Sequence, residues 1–319
     1  MRILLTVLGV LALGAAALGL AARYVPIDGH AVLIVASAAP YLMLAAPVAV
    51  ALLGLGRRWV LTGLAALLSV TLLVVMLPRY LGSEHAAESS VQLRVLTANL
   101  GMGRADPRAL AAAANATADV LVVEEMTAEA ATGLSRAGLD RAFPHRMLDP
   151  HPMAGGIGVW SRHPITDSGF VEDYTLSTLR MRIQVPGVAI APTVVAIHLP
   201  APWPMPIGAW RRDLARLPAT LRELGGQAGA GAVIVAGDLN ATMDMAPFRR
   251  LLDEGYRTAT EQAGAGLGRT FPGGRRIPPV LGIDHVLVRN CVATSARTVG
   301  LPGSDHLGLL VGVEVPLDP

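Results

Sequence analysis

The sequence predicts an α/β domain carried behind three membrane-spanning helices. Three observations point there. Residues 3–78 hold three long apolar runs, none containing a charged residue. After residue 92, short β-branched apolar stretches alternate with Ala- and Leu-rich helical ones, as in layered α/β proteins. Six of those apolar stretches meet Asn, Glu, Asp or His at one end.

The apolar runs are 3–22, 31–56 and 59–78, each reaching the roughly 20 residues that a bilayer-crossing helix needs. They concentrate the surplus behind a composition of 52% hydrophobic residues and a mean hydropathy of +0.49. Pro40 and Pro47 predict a kink in the second run, which a membrane helix tolerates. With a cytoplasmic N-terminus, Arg2, Arg57 and Arg58 lie inside, and Arg23, Asp28, Arg79, Glu84 and Glu88 lie outside. That satisfies the positive-inside rule. The expected protein is therefore a multi-pass protein of the cell membrane, with everything after residue 80 on the extracytoplasmic side. An alternative makes 1–23 a signal peptide, which still leaves the C-terminal part outside.

The expected boundaries are a membrane domain at 1–81, a linker at 82–92 ("GSEHAAESSVQ") and one large domain at 93–319. From residue 89 on, 21 Arg face 21 Asp plus Glu, and the chain has no Lys. A domain so close to neutral gives no strong nucleic-acid signal. The single Cys291 excludes an internal disulfide and leaves the compartment open.

Within the domain, "LRVLTANL" (93–100) reads as a strand ending near Asn99, and 107–117 as an Ala-rich helix opened by Pro107. "DVLVVEEM" (119–126) is a buried strand ending in Glu124 and Glu125, followed by a helix over about 128–137. "GIGVWSRHPI" (156–165) is a strand and turn, and "TVVAIHLPAP" (193–202) a strand that delivers His198. Trp210, Leu214, Leu217 and Leu221 mark one face of the next helix. "AVIVAGDLN" then presents Asp238 and Asn240. "IDHVLV" (283–288) begins with Asp284 and His285, and "GSDHLGLLVGVEV" (303–315) places Asp305 and His306 before the last strand.

Alone, each polar residue has an ordinary explanation as a turn former, cap or satisfied core group. Together they are costly beside apolar strands unless they are paired or bind something. Their inventory is oxygen-rich with two or three imidazoles, which suits a hard cation such as Mg²⁺ or Mn²⁺ better than zinc.

The order Asn99, Glu125 in "VVEEM", His198 in "AIHLPAP", Asp238 and Asn240 in "GDLNA", Asp284 in "IDHVLV" and Asp305-His306 in "SDHLGL" resembles the endonuclease/exonuclease/phosphatase (DNase I-like) superfamily. "SRHPI" (161–165) and "TFP" (270–272) add to the likeness, which covers about 93–315. It implies a four-layer α/β sandwich, two packed β-sheets flanked by helices, and metal-dependent hydrolysis of phosphoester or phosphoanhydride bonds. It also implies roles. Glu125, Asn99 and Asp305 would hold the metal ion. Asp238 would orient or deprotonate the attacking water, with Asn240 beside it. His306 would donate to phosphoryl oxygens with Asp284 orienting it, and His198 would contact the phosphate or protonate the leaving group. Glu124 stands where the family often has Gln, which makes it the lesser candidate. Some nucleases place an acid before the "GVWSR"-type strand to partner the first histidine. Here "PMAGGIGVW" offers only Gly and Ala, so a different support for His198 is expected.

Two further substrate-binding candidates are His285 and Trp203. Trp203 and Met205 sit in the Pro-rich "LPAPWPMPIGAW" (199–210) directly after His198, and Trp commonly settles at membrane interfaces. The arrangement resembles membrane-anchored actinobacterial members of the superfamily, some associated with glycopeptide-antibiotic resistance. That resemblance implies a lipid-linked phosphate or pyrophosphate of the cell envelope as substrate. An extracytoplasmic endonuclease and a sphingomyelinase-like phosphodiesterase are the alternatives.

The topology is directly testable. A C-terminal alkaline phosphatase fusion should be active and a C-terminal green fluorescent fusion dark; the reverse pattern would place the domain in the cytoplasm.

Overall fold

A computed structural model describes residues 1–82, 86–274 and 277–319. Glu84 and the rest of 83–85, inside the expected linker, lie outside the described residues. The N-terminal helices are α1 (Arg2–Ala22), α2 (His30–Ser37), α3 (Ala39–Met43), α4 (Ala45–Leu55), α5 (Trp59–Met76) and α6 (Pro78–Leu81). Among the described residues, two helices are long and apolar enough to cross a membrane, Arg2–Ala22 and Trp59–Leu81. The second apolar run departs from the expected single kinked span. It is broken into α2 and Ala39–Leu55, bent by 57°, and gives a third crossing only if the pair counts as one. Pro40 and Pro47 each lie in the first turn of a new helix, where a missing N–H costs nothing. Leu33 and Ala36 of α2 are buried in the same apolar cluster as Trp210, Leu214 and Leu217. That face of α2 is therefore covered by protein.

Strand β1 (Ser90–Asn99) begins three residues before the expected boundary and is followed by α7 (Pro107–Thr117), β2 (Val120–Glu124), α8 (Ala128–Arg136) and α9 (Leu139–Ala142). Then come β3 (His145–Asp149), β4 (Ile157–Ser161), β5 (Ile165–Phe170), β6 (Leu179–Ile183), β7 (Thr193–Ala196) and α10 (Gly208–Ala228). The chain closes with β8 (Val233–Asp238), α11 (Ala246–Arg249), β9 (Arg257–Thr258), α12 (Ala259–Gln262), β10 (Asp284–Arg289), β11 (Val292–Val299) and β12 (Gly308–Pro316).

The strands form two six-stranded mixed sheets, β11-β12-β1-β2-β4-β3 and β5-β6-β7-β8-β10-β9. Alternating side chains explain the layers. Val95, Val120 and Val122 of the first sheet meet Val194, Ile234 and Val286 of the second in the central core. The opposite face of the first sheet, with Leu96 and Leu121, packs on Leu110 of α7 and Leu134 of α8. The opposite face of the second, with Val195, Val235 and Leu287, packs on α10. This is the expected four-layer α/β sandwich.

Each sheet is centred on a parallel pair, β1–β2 and β7–β8. Asn99 lies opposite Glu124 where the first pair ends. Asp238 ends β8 opposite Asp284, which starts the antiparallel β10. The polar residues read from the sequence are thus delivered to the ends of neighbouring strands.

The N-terminal helices are tied to the sandwich by buried charge. Arg79 of α6 forms two bonds to Asp244, Nη1 to Oδ2 at 3.0 Å and Nη2 to Oδ1 at 2.9 Å. Arg23, just beyond α1, pairs with the same carboxylate. Arg249 donates to the carbonyls of Asp244 and Arg23. Arg23, Arg79 and Asp244 are all buried. Removing the carboxylate leaves buried guanidinium groups uncompensated, which typically costs about 3–5 kcal/mol. Asp244→Ala should therefore lower stability by about that amount in a denaturant titration, and a parent-like transition would show that water reaches the arginines instead.

Candidate active site and metal-binding residues

Asn99 stands between two carboxylates. Its Nδ2 donates to Glu125 Oε1 at 3.1 Å and to Asp238 Oδ2 at 3.0 Å. Its Oδ1 accepts from the Gly101 N–H at 2.9 Å, and a backbone N–H can only donate, which fixes the amide's orientation. Asn99 is therefore placed as a donor that bridges two acids, and its Oδ1 keeps a second lone pair. Asp238 Oδ1 accepts from the Asn240 N–H at 2.8 Å, while Asn240 Nδ2 donates to the Leu199 carbonyl at 2.9 Å.

Glu125 lies one residue past β2 with φ 54°, and Asn240 has φ 49°. A glutamate gains nothing intrinsic from the left-handed region, so this geometry costs of order 1–3 kcal/mol. It breaks the strand's alternation and lets adjacent acids reach the site together. Glu124 Oε1 accepts from Thr97 Oγ1 at 2.6 Å, and Glu125 Oε2 accepts from the Met102 N–H at 2.6 Å. Burial pushes Glu124 well above the ordinary carboxylate range, reinforced by Asp284 and Asp238. Gly237 (φ 147°) admits the close approach of these strands: a Cβ there would lie 1.8 Å from the Ile197 carbonyl and 3.1 Å from Glu124 Oε1.

His306 Nδ1 lies 2.9 Å from Asp284 Oδ2, and its Nε2 is 3.8 Å from Asp238 Oδ2. Burial acts to lower the imidazole's pKa, but the Asp284 and Asp238 carboxylates outweigh it and lift His306 to about 10. Asp284 is correspondingly held low despite its burial, chiefly by His306. Asp238 is pushed up to about 8, first by burial and then by Asp284. His198 donates from Nδ1 to the Ala154 carbonyl at 3.2 Å. This backbone group provides the support that the sequence lacked as an acid. His198 Nε2 is buried, without a hydrogen-bond partner, 3.8 Å from both Glu125 and Asp238.

Asn99, Glu125, His198, Asp238, Asn240, Asp284 and His306 are thus one contiguous group. Asp305 lies at its rim, 3.4 Å from Arg104 Nη2. His285 is not part of the group. Strand alternation turns it toward the helix layer, where Nε2 donates to the Ala241 carbonyl at 2.8 Å and the ring packs on Phe248 with centroids 4.5 Å apart. Trp203 is also outside the group, exposed, with its ring edge-on to His30 at 5.1 Å. Sequence reading missed several supports. Ser304 donates to the Asn99 carbonyl at 2.7 Å and accepts from the His306 N–H at 3.0 Å. The Thr270 hydroxyl lies 3.4 Å from the Asp284 nitrogen, and Phe271 packs on His306 with centroids 5.0 Å apart. Their place within "SDH" and "TFP" was the available signal.

The donor set fits a divalent cation. Asp238, Asp284 and His306 offer ligand atoms all within 4.8 Å of one another. Asp284 Oδ1 and Glu124 Oε2 are buried without partners, and clustered buried carboxylates call for positive charge. Paired carboxylates with oriented imidazoles at the strand ends of a two-sheet sandwich are the groups that metal-assisted hydrolysis of phosphoesters uses.

Comparison with known proteins agrees. The profile of the Endonuclease/Exonuclease/phosphatase family matches residues 96–306. The chain belongs to that family of metal-dependent hydrolases acting on phosphoester bonds. Among solved structures, a Bacteroides vulgatus endonuclease/exonuclease/phosphatase superposes with TM-score 0.58 at 17% identity, over 70% of this chain and 99% of that one. A 3′ phosphatase, NExo, from Neisseria bound to a product DNA hairpin gives TM-score 0.55 at 17% identity, over 69% and 98%. Sphingomyelinase C from Streptomyces griseocarneus gives 0.50 at 20%, over 70% and 99%. At these identities the likeness is one of fold. No match was found among curated proteins.

Ligand binding to the folded state alone raises stability. Mg²⁺ or Mn²⁺ should therefore raise the thermal midpoint, EDTA should reverse the rise, and Glu125→Gln should abolish most of it. A midpoint indifferent to all of these would contradict a cation site.

Proposed function

We propose that this protein is a membrane-anchored, extracytoplasmic phosphoesterase that hydrolyses a lipid-linked phosphate or pyrophosphate of the cell envelope. One observation carries the reading: three chain segments run from the site to the membrane segment. His198 leads to Pro202 and Met205, whose carbonyls accept from His30 Nε2 at 3.0 and 3.1 Å. Asn240 leads to Asp244, held by Arg79 and Arg23. Phe271, beside His306, leads to Val280, whose carbonyl accepts from the Tyr41 hydroxyl at 2.5 Å. A site joined on three sides to membrane helices is suited to a substrate that is itself in the bilayer. The near-neutral domain weighs against a nucleic-acid substrate.

In the proposed reaction, water attacks phosphorus in line, the bond to the leaving oxygen breaks, and the water proton passes to Asp238. Asn99 and the Asn240 N–H fix Asp238 for that role. His306 donates from Nε2 to the phosphoryl oxygens as their charge grows, its ring oriented by Asp284. His198 Nε2, buried and unpartnered, faces Glu125 and Asp238 and is placed to contact the phosphate or protonate the leaving oxygen. Glu125 is the principal carboxylate assigned to the cation, with Asp305 at the rim and Asn99 holding Glu125 in place. Mg²⁺ or Mn²⁺, when bound, supplies Lewis-acid stabilisation of the phosphoryl oxygens.

Two tests follow. Asp238→Asn and His306→Ala should each lower kcat by about 10²-fold or more, the scale for losing a transition-state group, while the variants stay folded. Aggregation of both would assign these residues to structure instead. Trp203→Ala should weaken hydrolysis of a long-chain prenyl phosphate several-fold and leave a short water-soluble phosphoester nearly unaffected, because only the long chain reaches the loop. Equal losses on both substrates would mean that Trp203 merely packs against His30.

A further inference from the structure

A separate cavity of about 360 Å³ opens where the membrane segment joins the sandwich. Its size falls within the range of small-ligand pockets. Its wall includes Tyr80, Thr260, Arg269, Arg297, Thr298 and Leu309, and none of the catalytic group lines it. Two guanidinium groups face it without a carboxylate: among the described residues neither Arg269 nor Arg297 forms an ion pair. The neighbouring acid, Glu261, does not line the cavity.

The N-terminal helices contribute to this cavity through Tyr80. Tyr80 belongs to α6, directly after the α5 helix. Its ring lies over Gly266 so closely that a Cβ there would come within 2.7 Å of it. The Gly266 N–H also donates to the Arg79 carbonyl at 2.8 Å, so α6 and the 264–268 loop are held as one wall. The hydroxyl of Tyr41 in α3, which donates to the Val280 carbonyl, lies near Arg269. If Trp59–Leu81 crosses the bilayer, Tyr80 ends that crossing and sits at the headgroup level, where aromatic rings collect. Two unpaired arginines at that depth face a layer of phosphates, and guanidinium forks match phosphate oxygens in geometry and charge.

We infer that this cavity binds the phosphate of an anionic phospholipid headgroup, held by Arg269 and Arg297 against Tyr80 and Thr298. The inference rests on the bilayer assignment and not on the chemistry of the catalytic site. The phosphate seats the α6 junction at a fixed depth in the membrane.

The test compares the full-length protein in phosphatidylglycerol nanodiscs, in phosphatidylcholine nanodiscs, and in detergent with added inorganic phosphate. The variants are Arg269→Ala/Arg297→Ala and, on the exposed edge strand alone, Arg297→Ala, which should fold if the double variant does not. The thermal midpoint should be higher in phosphatidylglycerol than in phosphatidylcholine, and the variants should lose that difference while matching the parent in phosphatidylcholine. A variant-sensitive rise with inorganic phosphate, without one in phosphatidylglycerol, would assign the cavity to free phosphate and overturn the lipid as ligand. An equal phosphatidylglycerol effect in parent and variants, or none in the parent, would overturn the site.

Discussion

The structure depends on a concentration of acids that its own sheet register enforces. The ends of β1, β2 and β8 and the start of β10 bring Asn99, Glu124, Asp238 and Asp284 together, with Glu125 beside them. Carboxylates gathered in a low-dielectric place repel one another and lose hydration. The surrounding residues answer that cost. Asn99 places an amide between Glu125 and Asp238, the Asn240 N–H and Thr97 hydroxyl bind carboxylate oxygens, and His306 sits on Asp284. What is left over, the partnerless Asp284 Oδ1 and Glu124 Oε2, is an affinity for cations built into the fold. The same balance orients the His306 ring on Asp284.

The second organising feature is continuity between the site and the N-terminal apolar helices. The peptide that carries Asp238 and Asn240 continues through buried Ala241, Thr242 and Met243 to Asp244. There the ends of two apolar helices meet one carboxylate. Buried ion pairs contribute little net stability, yet they strongly penalise any rearrangement that separates the partners. Such a joint suits a protein whose site must hold one orientation relative to a membrane surface. Fold likeness to both a DNA 3′ phosphatase and a sphingomyelinase shows that the scaffold does not choose the substrate. Here the attached helices distinguish the chain.

Most of the candidate site was legible because strand ends are local signals. A run such as "AVIVAGDLN" states both the buried strand and the polar residues that terminate it. The flanking strands were less visible. β5, with mostly exposed residues, and β3 lie at sheet edges, where one-sided burial weakens the apolar signal. β6 alternates clearly in its burial, but its arginines mask the pattern in a hydropathy reading. His285 was misplaced because adjacency in sequence to Asp284 places it on the opposite sheet face. The α2 break was hidden because an apolar helix docked on protein and one docked on lipid have the same composition. Long-range pairing, such as Asp244 with Arg23 and Arg79 or Ser304 with Asn99, carries no local signature at all.

The central claim is that this site, fixed against the membrane, cleaves a phosphate carried by a lipid. It is tested most directly by measuring turnover of the purified full-length protein with Mg²⁺ on three substrates side by side: a prenyl pyrophosphate, sphingomyelin and duplex DNA. The account predicts EDTA-sensitive release of phosphate from the prenyl substrate and little cleavage of the other two. Rapid cleavage of duplex DNA without release from the lipid would contradict it.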